Sequence, residues 1–295
     1  MTSSSKIYSI KLKGGLSLNV ATKKTMTYKM IVLDLDDTLL RDDHTISPIT
    51  KETLFKAQDQ GVKVVLASGR PTYAMRDLGD ELHLSDYGSY LLSFNGGRIT
   101  NCKTNEDIFS STLTFEDVAF LYELSIRENV YIHTYVGDNI ITEKNNDYTT
   151  IEADITGLPI TKVEDFIASV TERPVKILMV EDPEVLKPLE KKLQKELSER
   201  FSVLRSKPYF LEFTEKGVTK GTSLDHLIKQ LGIKREEVIA IGDSYNDQSM
   251  IEFAGLGVAM GNAPDDIKAI SDYVTKTNMQ DGVAHVVQKF IFGES

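Results

Sequence analysis

The feature that most constrains the fold is an apolar run, Met30-Ile31-Val32-Leu33, that ends abruptly on Asp34-Leu35-Asp36-Asp37. A strand apolar on both faces belongs inside a parallel sheet that is covered on two sides. The same device recurs along the chain. Val62-Lys63-Val64-Val65-Leu66-Ala67 ends on Ser68-Gly69-Arg70, and Tyr90-Leu91-Leu92-Ser93-Phe94 ends on Asn95-Gly96-Gly97. Val238-Ile239-Ala240-Ile241 ends on Gly242-Asp243-Ser244-Tyr245-Asn246-Asp247. Helical stretches separate these strands. One opens at Ser47-Pro48, with Ser as N-cap and Pro at the first helical position, and stops near Gly61. Others are expected over 73–84 and 221–231, and a short helix, strand and helix over 248–270 complete the alternation. This rhythm predicts an α/β fold with a Rossmann-like parallel sheet, whose ligands bind beyond the carboxyl ends of the strands.

The pattern changes over 98–206. An amphipathic helix over 114–128 leads to two apolar runs joined at Gly137-Asp138-Asn139, a hairpin signature that predicts antiparallel strands. We read 98–206 as an α/β cap inserted into a catalytic core made of 30–97 and 207–295. Residues 1–29 form a basic N-terminal extension: six lysines and no acidic residue, against a body holding all 44 acidic residues of the chain. This segment lacks the apolar core of a secretory signal and the arginines of a transit peptide. It is expected as a disordered arm, an added leader or a stretch upstream of a start at Met26 or Met30. Its alternation around Gly14-Gly15 allows a hairpin instead.

The formal net charge of −10 makes a nucleic-acid partner improbable, and no apolar stretch approaches the ~20 residues that cross a bilayer. One cysteine, Cys102, cannot close an internal disulfide and fits a reducing, cytoplasmic setting. The histidine spacing predicts no zinc site. The chemistry is therefore sought at the strand ends. Asp34 and Asp36, Ser68, Lys220 at a helix start, and Asp243 with Asp247 all fall on one rim of the expected sheet. Carboxylates there are costly to desolvate without a partner, and become reasonable around a divalent cation bound through oxygens. A hydroxyl and an ammonium beside them suit the oxygens of a phosphate group. Taken singly, each cluster is as well read as a turn, a helix cap or a solvated end; their order and placement carry the case.

With those motifs and the insertion in view, the chain resembles the haloacid dehalogenase superfamily, specifically its Cof-like group with a large cap between the second and third motifs. Asn95-Gly96-Gly97, the stretch Gly257-Val258-Ala259-Met260-Gly261-Asn262-Ala263 and the ending Asn278-x-x-Asp281-Gly282-Val283 extend the likeness across 28–291. The resemblance implies a Mg²⁺-dependent phosphomonoester hydrolase acting on small phosphorylated metabolites, sugar phosphates above all. Asp34 would be the nucleophile that forms an aspartyl-phosphate, and Asp36 the acid and base. Asp34, Asp243 and the backbone carbonyl of Asp36 would hold the metal. Ser68, Lys220 and Asn246 would bind phosphate, and Asp247 would orient Lys220 or a metal-bound water. Arg70 and Asn95 would meet substrate or cap, although Arg70 serves equally as a structural ion pair.

One departure stands out: Asp37 occupies the place of the family's usual glycine, and its carboxylate is read as pointing away from the metal. His133, Tyr135 and Tyr209 are read as buried aromatics before cap contacts. A phosphomutase using the same aspartate pair and a receiver-like phosphoacceptor domain are the alternatives. A dinucleotide-binding dehydrogenase lacks its Gly-x-Gly-x-x-Gly. The sequence does not speak to oligomeric state.

Overall fold

The computed structural model describes residues 6–11, 17–22 and 28–294. In the N-terminal extension, β1 (Lys6–Lys11) and β2 (Ser17–Thr22) pair antiparallel, from Lys6 opposite Thr22 to Lys11 opposite Ser17, in a two-stranded sheet of their own. These twelve residues thus form the hairpin that the alternation allowed. The Gly14-Gly15 connection and Met26 lie outside the described residues.

The core begins at β3 (Met30–Leu33), all four residues buried, as its unbroken apolar run requires. Helix α1 (Pro48–Asp59) follows, with Ser47 accepting from the Thr50 amide as N-cap. Then come β4 (Lys63–Ala67), α2 (Tyr73–Glu81) and β5 (Tyr90–Ser93). β6 (Arg98–Asn101) and β7 (Asp107–Ser110) turn back antiparallel on β5 and extend the same sheet.

The insertion follows: α3 (Phe115–Glu128), the hairpin β8 (Tyr131–Val136) and β9 (Asn139–Thr142), α4 (Asp147–Thr156) and β10 (Ile160–Lys162). It continues through α5 (Phe166–Ser169), β11 (Lys176–Val180), α6 (Pro183–Leu197), β12 (Phe201–Lys207) and β13 (Phe210–Glu215). Its six strands are ordered β10-β9-β8-β11-β13-β12. One face packs Ile132, Ile177, Leu211 and Phe213 against α3 and α6. The opposite face, with Tyr135, Leu178 and Phe210, gathers Phe94 of the core into its cluster.

The chain then returns to the core with α7 (Lys220–Leu231), β14 (Val238–Gly242), α8 (Gln248–Phe253), β15 (Leu256–Ala259), α9 (Asp265–Ile270), β16 (Tyr273–Val274) and α10 (Gly282–Val287). The core sheet runs β16-β15-β14-β3-β4-β5-β6-β7, with every pair parallel from β16 to β5. Separate apolar clusters on its two faces show a sheet buried on both sides.

Both expected cap boundaries move. Residues 98–110 belong to the core sheet, and 210–215 to the cap sheet. The break in pattern at 98 marks the switch to antiparallel pairing within the core, not the exit from it. At the far end, β13 fills the space between β11 and β12 before the chain leaves.

Candidate active site

Asp34 sits where β3 stops, its amide donating to the Ile241 carbonyl at 3.0 Å, so the first and fourth polar clusters are tied by adjacent strands. The next residues make a wide turn in which Leu40 N–H donates to the Leu35 carbonyl. That turn needs a left-handed residue, and Asp37 provides it at φ 61°, ψ 6°. This explains why the position tolerates Asp in place of glycine: Asn and Asp visit this region more readily than most residues. The Asp37 carbonyl accepts from Asn262 Nδ2 at 2.8 Å, and the residue is exposed on the rim of the site.

Lys220 opens α7, capped by Thr219, and is fully buried. Its Nζ lies 2.5 Å from Asp34 Oδ1 and 2.6 Å from Asp247 Oδ1. The backbone that delivers it passes close to Gly96, where φ is 94° and an added Cβ would fall 2.5 Å from the Thr219 carbonyl oxygen. Asp247 is fixed twice over, since its Oδ2 accepts from the amides of Asp243 and Ser244 at 3.0 Å each. Asp243 accepts a 2.7 Å bond from Thr38 Oγ1.

Asp34, Asp243 and Asp247 lie close enough that one oxygen of each falls within 4.8 Å of the others. Burial, then Asp247, push the Asp34 carboxyl well above the usual range, against the pull of Lys220. Burial also raises Asp243, to about 7, with Asp247 and Asp37 adding to it and the Thr38 bond opposing. Three carboxylates around one ammonium leave uncompensated negative charge, and hard oxygen donors of this kind suit Mg²⁺. The triad could hold a metal.

Asp36 points elsewhere. Arg70 grips it at two points, Nε to Oδ2 at 3.1 Å and Nη2 to Oδ1 at 2.5 Å. Its carboxylate lies outside the triad, so only its backbone carbonyl is left to a metal. Of the two roles open to Arg70, the structure shows the ion pair. Ser68 is buried, its Oγ accepting from the Arg70 amide at 3.2 Å and its carbonyl from Asn95 N–H at 2.9 Å. Asn246 Nδ2 donates to Asn95 Oδ1 at 3.0 Å, joining the third strand end to the fourth. All the expected residues except Lys220 and Asp247, which lie beneath, line one cavity of about 310 Å³.

The cap closes that cavity with residues not singled out in the sequence: Glu152, Lys176, Ser206, Lys207 and Glu212. Thr38 was also missed. A usable signal existed for two of them. Lys176 heads the apolar run Ile177-Leu178-Met179-Val180, and Glu212 interrupts Phe210-Leu211-Glu212-Phe213; both are charges in otherwise buried strands. His133 and Tyr135 are buried and line no part of the cavity, while Tyr209 stacks on Tyr148, as the aromatic-core reading expects.

The comparisons agree with this geometry. A family model described as haloacid dehalogenase-like hydrolase matches residues 31–287. A putative phosphatase of Bacillus subtilis, YxeH, is 32% identical over 271 residues, covering 90% of this chain and 100% of that one. The crystal structure of a haloacid dehalogenase-like hydrolase from Bacteroides thetaiotaomicron is 44% identical, with a TM-score of 0.84 over 89% of this chain and 99% of that one. The subclass IIB sugar phosphatase BT4131 superposes with a TM-score of 0.75 at 28% identity, over 89% of this chain and 98% of that one. The parallel α/β core with an inserted cap is the architecture shared with these hydrolases. This chain belongs to the haloacid dehalogenase-like hydrolase family.

Proposed function

We propose that the protein is a Mg²⁺-dependent phosphomonoesterase acting on small phosphorylated metabolites, sugar phosphates foremost, through an aspartyl-phosphate. The observation that carries this reading is the pairing of Asp34 with buried Lys220 at 2.5 Å, beside Asp243 and at the floor of a cavity. The sugar phosphatase BT4131 lends the substrate class its support, and the putative phosphatase YxeH the reaction type.

In the first step an Asp34 oxygen attacks phosphorus, the ester P–O bond breaks, and Asp36 gives the departing alkoxide its proton. For that, Asp36 must be protonated and give up part of the Arg70 grip. In the second step Asp36 takes a proton from the attacking water, the acyl phosphate is cleaved, and inorganic phosphate leaves with Asp34 regenerated. Lys220 and Ser68 neutralise and position the non-bridging oxygens, Asn246 assists, and Asp247 holds the Lys220 ammonium in place. Asp34, Asp243 and the Asp36 carbonyl would hold Mg²⁺, which when bound lessens the repulsion between a carboxylate nucleophile and a phosphate dianion.

The test is phosphate release from p-nitrophenyl phosphate and a sugar-phosphate panel, with Mg²⁺ and with EDTA, for wild type and Asp34→Asn. Metal-dependent release of free phosphate, lost in the variant, is the expected result. An isomeric phosphate ester as product would instead establish a mutase, and release that survives in Asp34→Asn would overturn the nucleophile.

A further inference from the structure

The cap supplies a polar pair that the reaction steps leave unused. Lys176 and Glu212 sit on adjacent antiparallel strands, β11 and β13, on the face turned toward the core. Their side chains are 3% and 7% exposed, and Lys176 Nζ lies 2.8 Å from Glu212 Oε1. Ser206 Oγ also donates to Oε1, at 2.7 Å. Both bonds thus end on one oxygen, and Glu212 Oε2 has no partner among the described residues, although it is not sealed off. Nζ also comes within 3.5 Å of the Gly69 carbonyl, between Ser68 and Arg70. The pair therefore hangs directly beside the phosphate end of the cavity, where a leaving group has to lie.

An ion pair buried this deeply contributes little net stability, because desolvation consumes most of the attraction. Its position is better accounted for by recognition: a carboxylate with a free oxygen and an ammonium with one spare proton accept from and donate to neighbouring hydroxyls.

Resting on the phosphatase reading above, we infer that Lys176 and Glu212 are a specificity-determining pair that reads adjacent hydroxyl groups of the leaving group. The substrate class is then a phosphate ester of a polyhydroxy compound.

The experiment compares kcat/KM for a hexose monophosphate, its monodeoxy analogues and p-nitrophenyl phosphate. Glu212→Gln keeps an acceptor for Lys176 and Ser206 while turning the free oxygen into a donor. It should lower the ratio of hexose phosphate to p-nitrophenyl phosphate activity by about ten- to a hundredfold, the scale of a hydrogen bond to a charged group. It should also erase the wild type's discrimination against at least one deoxy analogue. The double variant Lys176→Met with Glu212→Leu, which removes both charges of the pair together, should do the same and covers the case in which the single variant misfolds. Equal losses on both substrates would mean a structural pair, and would overturn the inference; so would an unchanged ratio. Wild type inactive on p-nitrophenyl phosphate and the whole panel would overturn the phosphatase reading itself.

Discussion

Lys220 and Asp34 lie 186 residues apart in the chain, yet their side chains meet at 2.5 Å in a site where Lys220 has no solvent exposure. Neither group tolerates that burial alone. The ammonium needs Asp34 and Asp247, and Asp247 in turn needs two backbone amides, so the site is assembled by the whole core sheet rather than by one loop.

Asp34→Asn removes the proposed nucleophile and almost no volume. Phosphate release should fall on the scale of the roughly 10⁶-fold loss seen when a covalent nucleophile is removed, with thermal unfolding close to wild type. Steady-state assays and a melting curve check both halves; substantial residual turnover would reassign the nucleophile.

Lys220→Met tests two consequences at once. Loss of a charge-stabilising donor should cost about 2.7–4 kcal/mol of transition-state stabilisation. The fold should also lose about 3–5 kcal/mol, because Asp34 and Asp247 are left buried and unpaired. Kinetics read the first and chemical denaturation the second. A variant as stable as wild type would mean that the carboxylates find other partners.

Asp37→Asn keeps a residue that accepts the left-handed backbone and removes one negative charge from the rim. The KM for an anionic phosphate ester should fall by up to about fivefold at low ionic strength, the range of an exposed pair at about 1 kcal/mol. The gain should fade as salt is added. A KM that does not move at either ionic strength would show that Asp37 is turned away from the approaching anion.

His133 offers a pH-dependent signature of stability that can be read without substrate. It is fully buried, its ring nitrogens lack hydrogen-bond partners among the described residues, and burial first, then Lys176, depress its pKa from 6.5 to about 3. The unfolded chain takes up this proton below about pH 6.5 while the folded protein refuses it down to about 3. Stability contributed by neutral burial is therefore intact above pH 6.5 and declines by about 1.4 kcal/mol per unit below it. His133→Phe, in a pocket already lined by Tyr135 and Phe210, should flatten the decline between pH 6.5 and 5 by that slope. Identical slopes for the two proteins would mean that the imidazole is protonated in place.

Much of this was legible in the sequence because strand ends are marked twice, by an apolar run and by what interrupts it. Asp34, Ser68 and Asp243 could be found that way, since a charge or hydroxyl at the end of a buried strand needs a reason, while Lys220 stood out at the start of a helix. The two-point grip of Arg70 on Asp36 was not legible: 34 residues separate them, and only the side-by-side placement of β3 and β4 brings them together. The cap boundaries were misplaced for a related reason. Antiparallel strands at a core edge and antiparallel strands in an insertion carry the same local pattern, and only pairing partners distinguish 98–110 from 131–142. Lys176 and Glu212 were passed over because a single charge in an apolar strand is usually a surface residue; here the surface faces the cavity.

The traffic between the two sheets has a consequence of its own. The chain leaves the core just after β7 and re-enters just after β13, and at that doorway Ser111 Oγ donates to Glu215. Both crossings pass through one fastened point, so the insertion hangs from the core as a pendant does from a clasp. Wall residues on the pendant can therefore be exchanged without disturbing the floor of the cavity, which the core sheet alone assembles.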